Sequence, residues 1–151
     1  MMIWLIMGLV FALDQLTKYY ISHTFNYLQS IPIIPEFFHF TYVQNYGAAF
    51  GILQNRRPVF IFVSVLVIGF LIYFYNQLPK DWISKVALGM AIGGMLGNLL
   101  DRIRLGYVID FLDFRFWPVF NVADSAIVLG MIFLAWKILI TEKKNGEVEN
   151  V

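Results

Sequence analysis

Gly97-Asn98-Leu99-Leu100-Asp101-Arg102, Tyr107-Val108-Ile109-Asp110-Phe111 and Phe120-Asn121-Val122-Ala123-Asp124 hold the densest group of chemistry-bearing side chains in this sequence. Asp101, Asp110, Asp113 and Asp124, with Arg102, Arg104, Arg115, Asn98 and Asn121, crowd between two strongly apolar runs. A charged side chain at the centre of a bilayer costs about 2.5 to 3.5 kcal/mol on insertion scales, so ionisable groups kept there are functional candidates. Two carboxylates held close cannot both ionise easily, so they share a proton and titrate at separated values. The ionised member can take a proton from water as it attacks a carbonyl, while the protonated member donates to the oxyanion; a second exchange releases an amine. Such a pair hydrolyses an amide without metal or thiol. Asp110 and Asp124 are the candidates for it. Asn98, Arg102 and Asn121 read as orienters, since amides can hold a substrate carbonyl or the carboxylates and a guanidinium can bind a carboxylate with two parallel bonds. Asp101, beside Arg102, reads as a structural partner. Taken singly, each acid has a duller use. Asn121 and Asp124 have the spacing of a helix N-terminus, and Asp110 or Asp113 can be a solvated loop carboxylate partnered by an arginine.

The elements that must position these groups follow from composition. With 151 residues, 60% hydrophobic content and a mean hydropathy of +0.70, the chain is far more apolar than a soluble domain needs. It reads as one membrane-embedded domain, 1–151, with spans at about 1–20, 59–77, 84–102 and 121–140. The polar tail, 141–151, is expected to be solvated and poorly ordered. The first span has no basic leader and runs into Asp14 and Lys18 rather than a small-residue cleavage site, so it reads as a mature transmembrane helix. Asp14 and Lys18 stand four apart on one helical face in the favourable order. They suit either an ion pair at the helix end with Lys18 snorkelling outward, or an Asp14 that braces the site or positions substrate. The second span carries no charge, which suggests scaffold or lipid-facing duty. Gly89, Gly93 and Gly97 recur every four residues along the third, with Gly94 beside them, a pattern that permits close helix contact in lipid.

Between the spans, Phe37-Phe38-His39-Phe40-Thr41-Tyr42-Val43 is rich in aromatic and β-branched residues and suits a strand or interfacial hairpin. Asn45-Tyr46-Gly47-Ala48-Ala49-Phe50-Gly51 follows, with small residues that let a backbone come close to something. Residues 105–118 are too short for a span and read as an extended interfacial segment able to pair with the first loop in a small sheet. Zero cysteines exclude disulfides, thiol catalysis and thiolate metal sites. His23 and His39 lack metal-binding spacing and read as interfacial polar side chains, so neither metal nor cofactor is expected. A net charge of +1 gives no footprint for nucleic acid. Lys80, Lys85, Lys137, Lys143 and Lys144 fall on the side of the termini, and Lys18, Arg56, Arg57, Arg102, Arg104 and Arg115 on the other, so charge counting does not decide topology. Arginines held by site carboxylates would count less, which tilts toward cytoplasmic termini.

Five blocks together carry a resemblance: Asp14-x-x-Thr17-Lys18, Asn45-x-Gly47-Ala48-Ala49-Phe50-Gly51, Gly93-Gly94-x-x-Gly97-Asn98-x-x-Asp101-Arg102, Val108-x-Asp110-Phe111 and Phe120-Asn121-x-Ala123-Asp124. In order and spacing, over about residues 14 to 140, they resemble the bacterial lipoprotein signal peptidase family, also called signal peptidase II. The resemblance implies an all-α membrane protein of four transmembrane helices with a small β-rich extracytoplasmic cradle. It also implies an aspartic endopeptidase of the cell (inner) membrane, with cytoplasmic termini and the active site near the extracytoplasmic face. Its substrates would be prolipoproteins bearing a diacylglyceryl group, cut just before the lipidated cysteine. The catalytic pair maps onto Asp110 and Asp124, and the supporting residues onto Asp14, Lys18, Asn45, Gly47, Asn98, Asp101, Arg102 and Asn121. A monomer in the bilayer, with no metal or cofactor, is the expectation. On the residues alone, two other classes stand beside it: an ion-coupled transporter, though the acids collect at one interface instead of lining a path, and a scaffold, which leaves the aspartates and asparagines unexplained.

Overall fold

Four helices, each with a segment long and apolar enough to cross a membrane, account for most of the chain: α1 (Met2–Thr24), α2 (Arg57–Tyr73, prolonged by a 3-10 turn, Phe74–Gln77), α3 (Trp82–Arg104) and α4 (Val122–Glu149). Strands β1 (Ser30–Ile34) and β2 (Phe38–Asn45) lie between α1 and α2, and β3 (Val108–Asp113) between α3 and α4. The computed structural model describes residues 1–47, 56–79 and 81–149, with 142–149 as backbone alone. Ala48, Ala49, Phe50 and Gly51 of the small-residue motif, and Lys80 of the turn before α3, lie outside the described residues.

α3 is the central helix: 61% of its most apolar window is buried, against 6% for α2 and 11% for α1. The other three turn leucine, isoleucine and phenylalanine side chains outward, among them Leu9, Leu16, Phe62, Leu66, Ile132 and Leu139. That is the expected inside-out distribution when the solvent is hydrocarbon. Glycines set how closely the neighbours approach α3. A Cβ on Gly93 would come to 2.7 Å from the Met7 carbonyl oxygen of α1, and one on Gly94 would overlap the Ala123 carbonyl in the first turn of α4. Leu71, Leu88, Ile92 and Leu134 fill the lower core, whereas Ile21, Tyr42, Ile109 and Phe111 tie the helices to the sheet above.

The sheet is antiparallel in the order β1-β2-β3, so the 105–118 segment does pair with the first loop. Its register sets Val43 opposite Asp110 and Asn45 opposite Val108, with an irregularity between Phe40 and Val43. This carries Asp110 to the end of the sheet nearest the helices. A bridge between Leu112 and Phe120 then returns the chain to the start of α4.

Two boundaries differ from expectation. α1 continues a turn past Tyr20, and α4 continues to Glu149 instead of giving way to a coil at about 141. Glutamate and lysine are good helix formers and no proline intervenes, so a helix already nucleated in the span propagates through the polar residues.

Candidate active site

Asp110 is 1% exposed and lies within β3, two residues from its start. Its Oδ1 accepts from Asn121 Nδ2 at 2.6 Å and its Oδ2 from Asn45 Nδ2 at 2.8 Å. The Asn45 amide is held in turn by the Gly47 N–H, which donates to its Oδ1 at 2.9 Å. Asp124 is half-buried in the first turn of α4; its Oδ1 accepts from Asn98 Nδ2 at 2.7 Å and its Oδ2 from the Asn121 N–H at 3.3 Å. The Asp124 N–H donates back to Asn121 Oδ1 at 2.8 Å, a reciprocal capping box. Capping and presentation into the cavity therefore coexist in one carboxylate, with one oxygen for each.

Both acids line a cavity of about 420 Å³ together with Asn45, Gly47, Asn98 and Arg102. Among the described residues no lysine or arginine forms an ion pair with either acid. Burial, and then the neighbouring Asp124 carboxylate, push the Asp110 carboxyl up to about 7. Arg102 reaches the cavity without binding a carboxylate. Its nitrogens donate to the Asn98 and Gly47 carbonyls at 3.4 and 3.5 Å, and its guanidinium stands 4.9 Å from the centroid of the Phe60 ring. The expected two-bond guanidinium-carboxylate contact is absent among the described residues, because Asn98 and Asn121 have taken the carboxylate oxygens.

Behind the cavity sits a second, fully buried layer. Lys18 Nζ lies 2.9 Å from Asp14 Oδ2 and 2.8 Å from Asp101 Oδ2, and donates to Asn98 Oδ1 at 2.8 Å. Those contacts use all three ammonium protons. Lys18 is 2% exposed, so the outward-snorkelling alternative is wrong: two buried carboxylates attract the ammonium more than the headgroup region does. An ammonium can only donate, so the Asn98 oxygen must face Lys18 and its NH2 must face Asp124. Asp14 lies outside the cavity; its Oδ1 accepts from the otherwise unpaired Ala123 N–H of α4 at 2.9 Å, tying the first helix to the start of the last. Of its two readings, bracing is the one the contacts fit. Asp101 Oδ2 also accepts from the Ile109 N–H at 3.3 Å, fastening β3 to α3.

The remaining acid stands apart. Burial works against ionisation of Asp113, but Thr41 Oγ1 at 2.7 Å and the Arg115 N–H and guanidinium at 2.9 and 3.0 Å hold its carboxyl below the ordinary value. Two contributions were not visible in the sequence reading. Gln15 bridges Asp14, Asp101 and the Gly97 carbonyl, and its position beside Asp14 in an apolar run was the available signal. α2 is mostly lipid-facing, one of the two duties expected of it, and in addition supplies Phe60, Val63 and Ser64 to the cavity wall; an uncharged wall leaves no mark in a charge pattern.

Gly97 makes the junction of the two layers possible, since a Cβ there would overlap the Asp14 carboxylate. Gly97→Ala is expected to cost about 1 to 3 kcal/mol of stability through overpacking. Thermal melting in detergent checks this, and an unchanged midpoint would show that the Asp14 contact is not tight.

A family model described as Signal peptidase (SPase) II matches residues 6–140. The chain belongs to the signal peptidase II family. Among relatives called lipoprotein signal peptidase, the protein of Moorella thermoacetica is 51% identical over 139 residues, 91% of this chain and 93% of that one. That of Desulfitobacterium hafniense is 44% identical over 151 residues, 99% of this chain and 100% of that one. A solved structure described as a bacterial membrane enzyme at 2.3 Å superposes with a TM-score of 0.83 at 34% identity, covering 93% of this chain and 88% of the other. A second, at 1.9 Å, gives 0.79 at 35% identity, covering 89% and 90%. Membership in the signal peptidase II family makes this chain a multi-pass membrane hydrolase of lipoprotein processing, a peptidase that removes signal peptides from lipoproteins.

Proposed function

We propose that this protein cleaves diacylglyceryl-modified prolipoproteins just before the lipidated cysteine, using Asp110 and Asp124 as a proton-sharing pair that activates water. The observation that carries the proposal is the pairing of two carboxylates on one cavity wall, each turned by an asparagine amide and neither in an ion pair among the described residues. Asp110, with its raised pKa, keeps the proton and donates to the developing oxyanion; Asp124, more open to the cavity, takes the proton of the attacking water. Arg102 and the cavity face of α2 bound the space where the scissile peptide lies. The active site lies near the extracytoplasmic face of the cell (inner) membrane, with both termini in the cytoplasm, and the protein works as a monomer.

The test is cleavage of a synthetic precursor with and without its diacylglyceryl group, in the presence of a chelator. Only the lipidated precursor should be cut, the new N-terminus should be the modified cysteine, and the chelator should have no effect. Cutting of the unlipidated form at the same rate would overturn the substrate assignment. The raised pKa of Asp110 also fixes a sign. Below about 7 the carboxyl holds its proton, and as the pH rises through about 7 the proton is lost and the pair becomes doubly ionised. In a pH profile, kcat/KM should therefore fall about tenfold per unit on the alkaline side. A rate that climbs through this range would assign the essential group to a base instead.

A further inference from the structure

Two cavities lie along the seam between α1 and α3 and together form a second groove, and among the described residues neither shares a lining residue with the catalytic cavity. Its lower section, of about 360 Å³, is apolar, walled by Gly8, Phe11, Leu96, Leu100 and Ile103. Its upper section, of about 350 Å³, is mixed: Gln15, Tyr19, Ser22, His23 and Arg104 line it beside Leu16, Leu105 and Ile109. Residues 8, 11, 15, 19 and 22 follow one another at three- and four-residue steps along α1, as do 96, 100 and 104 along α3, so the two sections lie end to end on one side of the seam. The polar end comes where α1 and α3 finish, at the level at which the chain passes into the sheet. In a bilayer that is the headgroup level of one leaflet, and the apolar section below it lies at acyl-chain depth.

The charges at this end select the occupant. Arg104 is exposed and makes no ion pair or hydrogen bond among the described residues. The Arg57 guanidinium donates to the Ile103 carbonyl at 2.7 Å, so a second cation stands beside the top of the apolar section. His23 donates its Nδ1–H to the Tyr19 carbonyl at 2.8 Å, so Nε2 of the neutral ring is an acceptor and adds no donor for an anion. The acid in the wall, Asp101, does not oppose an anion directly, because Lys18, Gln15 and the Ile109 N–H occupy both its oxygens. Unsatisfied guanidinium above an acyl-sized slot is the complement of a phosphodiester carried on a fatty chain.

We propose that this groove holds one anionic phospholipid of the surrounding bilayer, with its phosphate at Arg104 and one acyl chain along Phe11 and Leu100. The lipid is distinct from the lipidated substrate, and the site stands whether or not the catalytic assignment does. Its polar end abuts the Lys18–Asp101 pair, which orients Asn98, so the bound lipid lies against the buried charge layer.

Native mass spectrometry and thermal melting of the whole protein test this, using neutral detergent with phosphatidylglycerol, phosphatidylcholine or inorganic phosphate added. One phosphatidylglycerol should be retained per chain and raise the melting midpoint, whereas phosphatidylcholine and phosphate should not. Arg104→Gln removes a guanidinium at the membrane surface and should weaken retention about fivefold. Leu100→Trp, which fills the acyl section and leaves the charges alone, should weaken it too. Equal retention of phosphatidylcholine would mean unselective annular lipid, and an equal effect of inorganic phosphate would mean a free-anion site. Either result, or retention that survives both substitutions, overturns the proposal. Precursor cleavage without added lipid should be unchanged in Arg104→Gln, which keeps this test separate from that of the catalytic pair.

Discussion

Asp110→Asn and Asp124→Asn proteins are expected to insert and fold while cutting lipidated precursor about 10,000-fold more slowly than the unaltered chain, the range lost when a positioned acid or base is removed. The substitution keeps shape and one oxygen. An asparagine in place of Asp110 could still accept from Asn45 or Asn121, and one in place of Asp124 could accept from Asn98 or the Asn121 N–H. The fold therefore loses about one hydrogen bond, worth about 1 kcal/mol. Removal of a buried negative charge works in the other direction. Melting midpoints should therefore stay close to the original while the rate collapses. Because the two acids work on the same water, the double variant should be no slower than either single one. Single-turnover cleavage of a diacylated precursor, with melting of the same samples, separates the two effects. A single variant that keeps more than about a tenth of the rate would show that its carboxylate is not the proton carrier.

The second large effect is on stability. Lys18→Met leaves Asp14 and Asp101 facing each other in a buried layer with no cation between them, and loss of one member of a buried ionic group costs about 3 to 5 kcal/mol. Low yield in the membrane and a lowered melting midpoint are the expected readouts. The triple variant Asp14→Asn, Lys18→Met and Asp101→Asn removes all three charges and should recover most of the loss. It should not recover full activity. Without the ammonium, the Asn98 oxygen keeps only the Asn121 amide donor at 3.1 Å, so its NH2 is held less firmly toward Asp124. A Lys18→Met protein that melts within about 1 kcal/mol of the original would mean that water reaches the layer and solvates both acids.

These predictions depend on features of different visibility in the sequence. The four spans follow from length and hydropathy alone, because hydrocarbon admits only self-satisfied helices in long apolar segments. The glycine steps on α3 announced close packing, and a Cβ on Gly89, Gly93 or Gly97 would indeed crowd α1. Pairing of the 105–118 segment with the first loop was readable from aromatic and β-branched content. The limits of α4 were not, since the end of an apolar run is not the end of a helix.

Residue types and spacing also singled out the acids and asparagines, because charge in an apolar neighbourhood is costly and few uses justify it. Which donor serves which oxygen was decided only by the tertiary structure. Asp14 and Lys18 are neighbours on one helix, yet their partners Asp101, Asn98 and Ala123 come from α3 and α4, far away along the chain. Helical periodicity reports which side chains share a face. It carries no information about the face opposite, and that is where the direction of the Asn98 amide, the contacts of Arg102 with backbone carbonyls and the part played by the uncharged α2 were determined.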